Sequence, residues 1–117
     1  MNQSTAMKLL ILIMLAITVL TAAPGKQTFT GTITDSMCST ADHSQMKMGP
    51  TDAECTKACI DEHGASYVLY DGKDAYFLSD QTTPEKFAGK KVVVTGTLDA
   101  AKKIIRVETI AVASGKP

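Results

Sequence analysis

Cys38, His43, Cys55, Cys59 and His63 fall within 26 residues of a 117-residue chain. Thiolates and imidazoles are the donors that Zn²⁺ and Cu(I) accept. Cys55 and Cys59 stand at i and i+4, so a helix there puts both sulfurs on one face. With Cys38 and His43 they form a candidate Cys3His metal set. The spacing Cys-x4-His-x11-Cys-x3-Cys matches no standard zinc module. Met46 and Met48 offer thioethers close to His43, which adds a copper option. His63 reads more simply as a favourable charge in the last turn of the helix.

Two other readings of the same cysteines stand beside the metal one. Exported cysteines commonly form disulfides, and three of them allow one bridge, from Cys38 to a helix cysteine. The remaining thiol would then be a small buried hydrophobe. That reading makes the chain a structural or protein-interaction domain with no metal. The third reading is a thiol-redox protein, although Cys-x3-Cys lacks the Cys-x2-Cys redox signature. A Cys–His nucleophile pair has no oxyanion donors or substrate pocket specified for it. Asp35, Asp42 and Glu62 read as solvated surface groups ahead of general acids. The chain is therefore read as a binding module and not as an enzyme.

The elements that must position these residues are mostly strands. Phe29, Gly31 and Ile33 alternate with four threonines over Thr28 to Asp35, the period of a half-buried strand with a wet threonine face. Gly31 suggests a bend or bulge. The stretch from Cys38 to Thr51 has no periodicity and reads as a loop. Thr51-Asp52-Ala53-Glu54 matches a capping box, so a helix is expected over about 52–63, ended by Gly64. Its inward face is expected to carry Cys55, Ala58 and Cys59, with Glu54, Lys57 and Asp61 in water. Two strands, Ser66–Tyr70 and Asp74–Leu78, flank an Asp71-Gly72 hairpin signal. After a helical turn at Pro84–Gly89 come strands Lys91–Leu98 and Ile104–Ala113. Ile105 and Val107 share one parity while Ile110 and Val112 take the other, which predicts a β-bulge near Glu108-Thr109.

Composition narrows the function classes. Lys plus Arg total 12 and Asp plus Glu total 12, and 44% of residues are hydrophobic. A nucleic-acid binder needs a basic surplus, which is missing, so Tyr67, Tyr70, Tyr76 and Phe77 read as core and rim rather than base-stacking residues. No phosphate loop is present. Leu9–Leu20 is an uncharged run of 12 residues behind Lys8, followed by Ala22-Ala23-Pro24-Gly25. It suits a secretory signal peptide over residues 1–25 and is short for a membrane span; an uncleaved membrane anchor is the competing reading. The mature part, 26–117, is then one exported (periplasmic or secreted) domain that is off the membrane and monomeric. Its partner is a metal ion or an unidentified protein.

Five strands with a glycine-marked first strand and a bulged last one point to a mainly β fold, a five-stranded OB-like barrel. One α-helix is inserted between strands 1 and 2, in an insert spanning 36–65. Gly89 to Leu98 with Ile104-Ile105-Arg106-Val107 resembles the closing hairpin of small exported bacterial OB domains. Across nearly all of 26–117 the chain is similar to a group of small exported bacterial proteins. The shared motifs are Gly31-Thr32-Ile33-Thr34-Asp35-Ser36-Met37-Cys38, His43 in its loop, the Cys55/Cys59 helix, and Gly89 to Gly96. The resemblance implies the OB-like fold and export, and brings no activity with it. The expected outcome at this level is a mature N-terminus at Lys26, or at Pro24 as second choice. Mass analysis of the folded protein checks it, and an intact leader would refute it.

Overall fold

Residues 25–114 are described by a computed structural model. The apolar run, the rest of the expected leader up to Pro24 and the last three residues lie outside them. The period-2 segment forms β1 (Gln27–Asp35), followed by helix α1 (Asp52–His63), β2 (Tyr67–Tyr70), β3 (Ala75–Leu78), a 3₁₀ turn (Thr83–Phe87), β4 (Lys91–Asp99) and β5 (Ile104–Val112). The protein is mainly β, with one α-helix between β1 and β2. Among the described residues, no helix is long and apolar enough to cross a membrane.

The five strands pair in the order β1-β2-β3-β5-β4, and the order closes because β1 also pairs with β4. Four of the five pairings are antiparallel, and β3 with β5 is the parallel one. β1 achieves its double pairing by length. Its N-terminal part, up to Thr32, lies along β4, and its C-terminal part, from Thr32, lies along β2. Gly31 sits at that changeover for a steric reason rather than as a bulge. A Cβ there would collide with the Tyr70 carbonyl. The bulge falls in β5 where the parity change places it. Thr95 faces Thr109 and Gly96 faces Val107, so Glu108 is the extra residue.

Ile33, Leu69, Val92, Val94 and Ile105 are fully enclosed and form the core with Tyr67, Leu78 and Ala88. Burying such side chains stabilises by about 1.5–3 kcal/mol each relative to exposure. The expected wet threonine face holds for Thr28 and Thr30 but fails at Thr34, which is completely buried. The insert covers it, and its hydroxyl donates to the Cys38 carbonyl at 2.8 Å.

Helix α1 begins and ends as its termini dictate. The Thr51 hydroxyl accepts from the Glu54 amide at 3.2 Å and donates to the Glu54 carboxylate at 3.0 Å. Gly64 takes φ 67°, and the Gly64 and Ala65 amides both donate to the Cys59 carbonyl. Cys55 and Cys59 face inward, while Glu54, Lys57 and Asp61 are exposed. The inward face is turned by about one residue from the expected one. Thr56 is fully buried and Ala58 only half-buried. The cause is that Ala53 and Ile60 pack on the core beside the cysteines. Ala53 also meets Gly89, whose φ of 75° and lack of a Cβ let the helix backbone come close.

Gly31→Ala is expected to cost about 1–3 kcal/mol, because overpacking against a fixed carbonyl forces backbone shifts. Urea unfolding of Gly31→Ala against the wild-type protein checks it.

Candidate metal centre

The centre starts with Asp35, the last residue of β1, which has no solvent exposure. Its Oδ1 accepts from the Met37 and Cys38 amides, both at 2.9 Å. This caps the strand end and curls the chain so that Cys38 turns back over the sheet. The Cys38 carbonyl is held in turn by the Thr34 hydroxyl and by the Ala41 amide at 2.9 Å. Ala41 has φ 59°, a left-handed conformation that costs a non-glycine residue about 1 kcal/mol or more. Two residues later the loop delivers His43, which is 8% exposed.

One ligand atom each from Asp35, Cys38 and His43 lie within 4.8 Å of one another, and all three residues are buried. Asp35 Oδ2 and His43 Nδ1 have no hydrogen-bond partner although both atoms are buried. Buried polar atoms are nearly always partnered, so a pair of orphans inside one cluster marks an unmet demand for a ligand. A cation held by both atoms would meet it, and the three residues could hold one. The surface reading of Asp35 is therefore corrected. Sequence signals for it were slight: it closes an alternating strand three residues before a cysteine. Asp42 is exposed, as that reading has it, and so is Glu62.

The helix thiols border this group without belonging to it at that distance. Cys55 and Cys59 are both buried, and all three cysteines are free. Cys55 is engaged by the loop: its thiol donates to the Met46 carbonyl at 3.0 Å and accepts from the Met48 amide at 3.4 Å. So the backbone groups of the two methionines fasten the loop to α1, and the Met46 side chain is exposed. His63 is exposed at the end of α1. Thr56 adds a third buried orphan, its hydroxyl oxygen.

Electrostatics link the thiols to Asp35. Burial pushes the Cys59 thiol up to about 11, with further contributions from the charge of Asp35, then Cys55, then Cys38. Burial also raises Cys38, followed by Asp35, Cys55 and Asp42. These acidic groups crowd one another with no cationic neighbour among the causes. Thiols raised in this way are poor nucleophiles near neutrality, which speaks against a reactive redox thiol. A metal cation reverses the balance, because it favours the thiolate and carboxylate forms.

Comparison with protein-family models, with curated proteins and with solved structures finds no match. These comparisons place the chain in no family, and the reading of the site rests on its geometry.

Cys59 supplies a pH signature. Its folded-state value lies above the 9.0 of an ordinary thiol. Its contribution to stability is therefore complete below pH 9 and is lost as pH rises towards 11. The urea midpoint of metal-free protein should fall across that window, and fall less for Cys59→Ala. Equal slopes for the two proteins would remove Cys59 from the effect.

Proposed function

We propose that this chain is a small exported binding module with an OB-like β-barrel, and that it holds a transition-metal cation above the end of β1. Cys38 and His43 are the central ligands, Asp35 joins them, and Cys55 and Cys59 line the thiol side. The observation that carries this reading is the buried Asp35–Cys38–His43 group with its two unpartnered donor atoms. Carboxylate, thiolate and imidazole together suit Zn²⁺, which accepts all three, better than Cu(I), which favours sulfur. The closed order β1-β2-β3-β5-β4 and the short 3₁₀ turn between β3 and β4 support the OB-like description. The helix between β1 and β2 departs from that pattern and brings the thiols to the site.

The test is metal content and affinity. Purified protein is expected to hold one Zn²⁺ per chain by native mass spectrometry and to lose it under denaturing acid. Cys38→Ser or His43→Ala should weaken binding by more than the roughly 10–100-fold that loss of a mere outer-shell partner costs. A mass short by two hydrogens with no bound ion would instead establish the single-disulfide structural domain. In that protein, losing the bridge would cost about 2–4 kcal/mol of stability.

A further inference from the structure

A cavity of about 520 Å³ lies beside the metal group and has His43 and Cys55 in its wall. Asp35 and Cys38 are not among its lining residues, so the cavity meets the group from the His43 side. Asp42, Asp52 and Lys47 also line it, an excess of one negative charge. The hydrophobic core, meanwhile, is built from the sheet and the connector before β4. From the insert, only Ala53 and Ile60 pack against it.

We infer that this cavity is the port through which a divalent transition-metal cation is loaded and released, so that the ion is an exchangeable cargo and not a structural staple. The inference rests on the metal reading above. Three observations converge on it. His43, nine-tenths buried and with Nδ1 unpartnered, belongs both to the cavity wall and to the ligand group. The charge of the lining favours a cation over an anion. And a sheet that keeps its own core does not need the ion in order to fold, unlike small metal domains that unfold without it. On loading, the hydrated cation gives up water to the solvent, and the Cys38 thiol gives up its proton as it binds. Release reverses both steps, with no oxidant or reductant required.

The experiment follows Zn²⁺ transfer from the loaded protein to excess 4-(2-pyridylazo)resorcinol, read by absorbance. Wild-type protein is expected to yield its ion within minutes while its circular dichroism stays that of a β protein. Ser44→Trp, which adds bulk to the exposed cavity wall, should slow release by about tenfold with the equilibrium zinc content unchanged. Asp42→Asn with Asp52→Asn should slow uptake at low ionic strength and lose that effect at about 1 M salt, where screening is nearly complete. Release only on unfolding would overturn the inference and leave a structural metal site. Release unchanged by Ser44→Trp and uptake unchanged by the double Asp→Asn variant, each protein shown to be folded by its melting curve, would overturn the port. Wild-type protein that retains no Zn²⁺ at all would remove the metal reading itself, and this inference with it.

Discussion

Placing a carboxyl group at the inner end of a strand costs free energy unless its oxygens find partners. Much of the region above the sheet follows from how Asp35 is served. One oxygen takes two backbone amides, and those amides belong to the residues that must turn if the chain is to leave the sheet. The turn then sets the position of Cys38, and the Cys38 carbonyl draws in Thr34 and Ala41. The left-handed backbone at Ala41 directs His43 inward. The second oxygen is what this arrangement leaves over, and it points the cluster towards chemistry.

The sheet and the insert answer to different forces. The sheet is held by apolar burial around Ile33, Leu69 and Ile105, and by hydrogen bonds that leave no open edge once β4 returns to β1. The insert is held by a few specific polar contacts and by the face of one helix. Its loop hangs on Cys55 through two backbone groups, and Gly49 allows the loop to lie against the start of α1. Tolerance should differ accordingly. Apolar exchanges of similar volume suit the sheet, whereas the insert depends on particular donors and acceptors.

The readability of the chain follows the same division. Strand alternation, the Asp71-Gly72 turn, the Thr51/Glu54 cap and the parity break at Glu108 are local signals, and each one appears in the structure. Local patterns decide such features because the partner atoms lie within a few residues. The burial of Thr34, Asp35 and Thr56 was not legible, since it depends on what packs over them. In a sequence a polar residue looks the same whether an insert covers it or water does. Gly31 shows a related limit: its spacing signalled something special, but only the Tyr70 carbonyl explains what. The cysteines and His43 announced themselves by type, whereas Asp35 became visible through its lack of partners.

The two ends of the insert meet. The Ser36 amide donates to the Ser66 carbonyl at 2.8 Å, and the Ser66 amide donates to the Ser36 hydroxyl at 3.0 Å. The chain therefore leaves and rejoins the sheet at a single stitched point, as it would around a tight hairpin. For the sheet, everything between those serines is equivalent to a turn, and the entropy of closing a longer loop rises only slowly with its length. That makes the insert a transplantable cassette. Its two ends are closed by that pair of hydrogen bonds, and its docking is set by one helix face. A different hairpin of the same strand spacing would offer the same point of attachment if it also supplied the equivalents of Thr34 and Asp35 at its first strand's end and the glycine that admits α1.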